Sequence, residues 1–192
     1  MHKSIISKVF GGAALLFMAV TGAQASTLDF TEVGATGIVS QTVINLSNAT
    51  LTSYGDDMYI GAPGVFGETN NLGIVCASPV GSGNCEEDLQ IDFLTVVTDL
   101  MFESFGVSAG DSVTVSAYLG ASLLGSTVVT TQTTVDFSGF GSIDRLFFAD
   151  SSTAAGIGWG DFSFNTSVPE PTTLALMGLG LAGIGWKRRK AA

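Results

Sequence analysis

Short segments in which apolar and polar residues alternate recur through the middle of the chain. Over residues 112–119, Val113, Val115, Ala117 and Leu119 fall on one side, with Ser112, Thr114, Ser116 and Tyr118 on the other. A period of two places one face of a β-strand against a core. Leu89, Ile91 and Phe93 alternate with Gln90 and Asp92 in the same way, and 39–46, 123–131, 143–149 and 159–164 read as strands with less regular alternation. Gly, Asn, Asp and Ser separate these runs. An amphipathic helix needs i, i+3, i+4 recurrence over about ten residues or more, and none emerges. The pattern predicts an all-β domain: a single antiparallel β-sandwich, jelly-roll-like, with a closed barrel as the alternative architecture. There is no fixed-period repeat of a solenoid or propeller. The strands are too short and too few for a transmembrane barrel.

The two ends follow other rules. Lys3 and Lys8 precede an apolar run over 9–20, and Ala23-Gln24-Ala25 follows as a small-x-small cleavage site. This is the plan of a secretory signal peptide, and the run is short for a membrane span of about 20 residues. Residues 1–25 are therefore expected to be removed by signal peptidase, which leaves a domain over 26–167.

The tail, 168–192, begins with Val168, Pro169, Glu170 and Pro171, where proline ends any preceding strand. An uncharged, glycine-spaced apolar stretch over 172–186 follows, then Lys187, Arg188, Arg189 and Lys190. As a helix the stretch is about 22 Å long, a short transmembrane helix against a hydrocarbon core of roughly 30 Å. The basic cluster fixes the C-terminus on the cytoplasmic side and the domain outside.

This order of Pro-Glu-Pro, short apolar helix and basic cluster resembles the PEP-CTERM sorting signal of Gram-negative bacteria. The resemblance covers only the tail. It implies recognition by an exosortase, a membrane cysteine transpeptidase that cuts near Pro169-Glu170-Pro171. It further implies a setting of exopolysaccharide production and biofilm matrix.

Charge narrows the chemistry. Over 26–167 only Arg145 opposes sixteen acids, a net charge of −15, although the whole chain carries −10. A segment so acidic has no basic surface for nucleic acid. It also lacks histidine and lysine, since the one histidine is His2 in the leader. Ser-His-Asp, Cys-His and lysine Schiff-base catalysis are excluded on that ground.

Several residues remain as candidates. Cys76 and Cys85 flank a loop rich in Pro, Gly, Ser and Asn, and an exported chain lets them form a disulfide. The loop would be flexible without that clamp. Glu86-Glu87-Asp88 and Asp92 form an acidic group better read as a solvated face than as a Ca²⁺ site. Asp56-Asp57 suggests a turn. Asp29 near the first strand and Asp161 in the last would approach each other if the terminal strands pair, as in calcium-bearing carbohydrate-binding modules. They are the candidate Ca²⁺ ligands, on fold-level analogy alone. Arg145 is expected to neutralise Asp144 or a cross-strand acid. Of Tyr54, Tyr59, Tyr118 and Trp159, Tyr118 is the best placed to stack on a sugar, being on the polar side of its strand.

The reading is an exported, non-enzymatic cell-surface or matrix protein, structural or adhesive within extracellular polysaccharide. A calcium-dependent carbohydrate-binding module is the alternative, distinguished by solvent-facing aromatics on one sheet face. A glycoside hydrolase using two carboxylates is the more distant one.

Overall fold

The computed structural model describes residues 22–168, of which Ala23–Val168 form one compact unit. It consists of strands β1 (Gly22–Thr27), β2 (Gly37–Val39), β3 (Val43–Asn45), β4 (Ala49–Ser53), β5 (Asp57–Gly61), β6 (Ile74–Ser78), β7 (Leu89–Phe105), β8 (Val113–Leu119), β9 (Ser122–Val129), β10 (Thr134–Asp136), β11 (Ile143–Asp150) and β12 (Gly158–Val168). Helical structure among the described residues is confined to two 3₁₀ turns, Phe30–Val33 and Ser138–Phe140. This is the all-β sandwich expected from the alternation. The leader up to residue 21, the apolar stretch and the basic cluster lie outside the described residues.

β7 organises the sandwich because it belongs to both layers. Its first half pairs antiparallel with β4 on one side and β11 on the other, and the order continues through β8 to the edge strand β9. Its second half pairs with β12 and β10, and β12 leads on through β6 and β5 to β2. The change of layer falls at Leu94–Val96, where the β11 register jumps from Arg145 opposite Asp92 to Ile143 opposite Val97. Leu94, Thr95 and Val96 are exposed there, which explains why a strand this long reads in sequence only as far as Phe93.

Alternation holds wherever a strand has one covered face. In β8, Val113, Val115 and Ala117 are buried and their neighbours are not. It fails in β6, whose five residues are all buried, and so β6 carries no period-two signal. The predicted strand 39–46 is two strands, because the Gln41 amide donates to the Val39 carbonyl at 2.8 Å and ends β2.

The layers meet in an aromatic core. The Phe102 ring stacks on Phe162 with centroids 4.9 Å apart and meets Phe137, Phe148 and Trp159 edge-on at 5.8–5.9 Å. Phe148 from β11 also packs on Trp159 of β12 at 4.7 Å. Offset and edge-to-face geometries are the favourable ones for rings of this kind. Trp159, one of the candidate sugar-stacking residues, is thus a core residue, 2% exposed.

Candidate functional site

The outer face of the β4–β7–β11–β8 layer brings together side chains that are far apart in sequence. Cross-strand register sets two rows. Thr50, Asp92, Arg145 and Tyr118 lie opposite one another in the first, and Thr52, Gln90, Phe147 and Ser116 in the second. Residues directly opposite on one face of antiparallel strands are in side-chain contact range. Tyr54, just beyond β4, leans over the second row. Its hydroxyl donates to Gln90 Oε1 at 3.0 Å, and its ring meets Phe147 edge-on at 5.6 Å.

Arg145, the one cation of 26–167, sits on this face. Its guanidinium carbon lies 4.4 Å from the centre of the Tyr118 ring, a cation–π contact. The expected pairing with Asp144 is not formed, because Asp144 is turned toward the β8–β9 turn and accepts from the Gly120 amide at 2.7 Å. Asp92 accepts instead from Gln90 Nε2 at 2.7 Å. Gln90, Tyr118, Arg145 and Phe147 line a shallow depression of about 310 Å³. Tyr54 stands 58% exposed at its side. The face therefore offers three aromatic rings, a guanidinium, an amide and the Asp92 carboxylate.

Sequence reasoning singled out Tyr118 but missed Gln90 and Phe147. Their role depends on register between strands, which no local pattern reports. Tyr59 is elsewhere, half-buried and edge-on to Phe66 at 6.3 Å.

Cys76 and Cys85 are bonded, with Cα atoms 5.3 Å apart, inside the usual range for a disulfide. The loop between them is held at more points than the bond alone. The Asp57 carboxylate accepts from the Gly81 amide at 2.9 Å, and Ser78 Oγ donates to the Ser82 carbonyl. Asp57 is thus a buried anchor at the start of β5, not a turn residue. The Cys85 amide donates to the Ala155 carbonyl at 2.7 Å, and the backbone of Gly156 runs so close to Cys85 that a β-carbon there would collide with its carbonyl oxygen.

The terminal strands β1 and β12 do pair, as the calcium analogy required. The two carboxylates are nevertheless engaged separately. Asp29 caps the 3₁₀ turn, accepting from the Thr31 amide at 2.9 Å. Asp161 accepts from the Thr69 amide and hydroxyl at 2.6 and 2.9 Å and from the Asn70 amide at 3.2 Å. Among the described residues no group of three or more His, Cys, Asp or Glu is arranged to hold a metal ion.

Other acids accept hydrogen bonds from backbone amides. Asp111 is buried and accepts from the Ser108 and Gly156 amides at 2.6 and 2.9 Å. Asp88 accepts from the Asp150 amide at 2.8 Å. Burial pushes the Asp150 carboxyl above its ordinary value against the two hydrogen bonds from Ser152, with Asp88 and Asp111 adding to the rise.

Val168 closes β12, while Pro169, Glu170, Pro171 and Lys187, Arg188, Arg189, Lys190 lie outside the described residues. The family model of the PEP-CTERM protein-sorting motif matches residues 167–190. The chain carries this motif, the mark of an exosortase substrate, and the motif implies export, a membrane-anchored intermediate and an exosortase as processing partner. No curated protein matches the chain.

Proposed function

We propose that the exported domain is a non-enzymatic structural or adhesive component of extracellular polysaccharide, freed from its tail by exosortase, and that it holds glycan on the face carrying Tyr54, Phe147, Tyr118 and Arg145. The observation behind this reading is the gathering of solvent-facing rings with the domain's one cation on a single open sheet face. A sugar ring presents an apolar C–H face that suits an aromatic platform, and its hydroxyls suit Gln90. Arg145 adds a preference for sugars bearing a carboxylate, since a guanidinium matches a carboxylate in shape and charge.

The test compares protein recovered from the producing cells with a Tyr118→Ala, Arg145→Ala double variant. The native protein should co-purify with matrix polysaccharide and leave it on polysaccharide digestion, while the variant should appear free in the medium. Equal retention of the two would remove the assigned face. Native protein found free of polysaccharide would remove the matrix reading itself.

A further inference from the structure

We propose that the open edge of β9 is a self-association surface, where a second copy of this domain adds its own β9 to extend the sheet. An edge strand presents unpaired N–H and C=O groups and so acts as a template for another strand. Most margins of this sandwich are blunted by brevity: β2, β3 and β10 have three residues each. β1 has six, but the expected signal-peptidase cut after Ala25 falls inside it. β9 is eight residues long and hydrogen-bonds only to β8, so its far side is open along its length.

Charge and proline, two of the usual protections, are missing from this edge, and its one irregularity is a bulge at Leu124, where the register with β8 shifts between Ala117 and Tyr118. Residues 122–129 include no proline, lysine or other charged residue, and Ser, Thr, Val and Leu make up all but one of them. That one, Gly125, is covered by the Phe140 ring, which a β-carbon there would meet at 2.5 Å. The weak point in the strand is therefore already filled from within the fold. Leu123 and Val128 lie opposite Tyr118 and Thr114 on the outer face, and they are 57% and 60% exposed. Two exposed aliphatic side chains on an uncharged edge favour a partner that brings the same.

Charge selects that partner. Residues 112–135 contain no Asp, Glu, Lys, Arg or His, within a domain of net charge −15. Two copies approaching through most other surfaces bring carboxylates together, whereas this stretch lets them meet without like-charge contacts. A basic partner would find no countercharge here. Antiparallel pairing of one β9 with another about a two-fold axis is self-complementary, as a closed dimer requires. Because β8 carries Tyr118 and neighbours β9, pairing also places the two outer faces side by side.

The experiment measures sedimentation of the processed protein over a concentration series, together with amide hydrogen exchange. The native protein should dimerise, and amides of 122–129 should exchange more slowly as concentration rises. Val128→Lys places a charge on an exposed position of the edge, so the dissociation constant should rise about tenfold or more. An unchanged thermal unfolding curve for that variant at low concentration shows that the monomer fold is intact, and Leu123→Lys supplies a second test should it not be. A native protein that stays monomeric at its highest soluble concentration overturns the proposal. So does a dimer that both lysine variants leave intact, or one whose β9 amides exchange as fast as in the monomer.

Discussion

Asp99 on β7 and Asp161 on β12 are reciprocal bulges, each undoing the register shift that the other creates. Pairing runs in step from Gly158 opposite Phe105 to Gly160 opposite Glu103, slips by one residue at Asp161, and returns to step at Asn165 opposite Thr98, beyond Asp99. Both aspartates adopt left-handed backbone, with φ of 53° at Asp99 and 50° at Asp161. Non-glycine residues reach that region at a cost, and Asp is among those that tolerate it. Each bulge flips the inward side of its strand. Trp159 points inward before Asp161, and Phe162 and Phe164 after it; Val97 points inward before Asp99, and Leu100 and Phe102 after it. The stack of Phe102 on Phe162 therefore exists because both strands shift together. Hydrogen bonds hold the pair, from Asn165 Nδ2 to Asp99 at 2.8 Å and from Thr69 and Asn70 to Asp161.

Asp161→Val should therefore be more damaging than Asp161→Asn. Valine loses the acceptors and adds left-handed strain of about 1–2 kcal/mol. Asparagine tolerates the backbone and keeps one acceptor. Urea unfolding of the two variants checks this, and equal midpoints would show that Asp161 is not needed for the bulge.

Phe102→Ala should cost about 3–5 kcal/mol, because the ring is fully buried among four others and its removal leaves a cavity. Phe102→Leu should cost less. A loss below about 1 kcal/mol for the alanine variant would mean that the layers do not meet around this ring.

Replacing both Cys76 and Cys85 by alanine should lower stability by about 2–3 kcal/mol on the chain-entropy account, since the bond closes a loop with a sequence separation of 9. The Asp57–Gly81 contact should keep the loop in place in the folded state. Intact mass of the unreduced exported protein checks the bond itself, and two free thiols there would refute it.

Asp150 should give the domain a distinct pH response. Its carboxyl is raised in the folded state, mainly by burial, above an ordinary value of 3.8. A raised folded value means that the proton is held more tightly when folded. The associated stability is complete below the unfolded value and fades as pH rises through the folded one. Asp150→Asn should thus gain on the native protein between acid and neutral pH. A difference in urea midpoint that stays constant across that range would show that Asp150 does not titrate as described.

What the sequence disclosed follows the same physics. β8 is plain in residues 112–119 because it has one covered face and its alternation runs unbroken from Val113 to Tyr118. The second half of β7 is hidden because Leu94–Val96 and Asp99 twice break the period of two. β6 is hidden because both of its faces are covered. At the candidate site, Tyr118 shows its polar-side position within one strand. Gln90 and Phe147 join it only through pairings of residues more than twenty positions apart, and Tyr54 only through a hydrogen bond that no period encodes. The sorting tail was legible in full because its signal is linear, read as a segment before any fold exists.

The tail leads to the last prediction. Val168 ends β12, so a cut near Pro169-Glu170-Pro171 falls just outside the sheet and removes no pairing within it. The apolar stretch over 172–186 is short and glycine-spaced, a weak permanent anchor, while Lys187, Arg188, Arg189 and Lys190 set its orientation. The protein recovered from the cell surface or medium should therefore have a mass ending close to Val168. Replacing Pro169, Glu170 and Pro171 by alanine should leave export intact and accumulate the uncut form at the membrane. Deleting 187–190 should instead lose the membrane-held intermediate. A surface protein that still carries Leu174 through Lys190 would make the tail an anchor and not a processed signal.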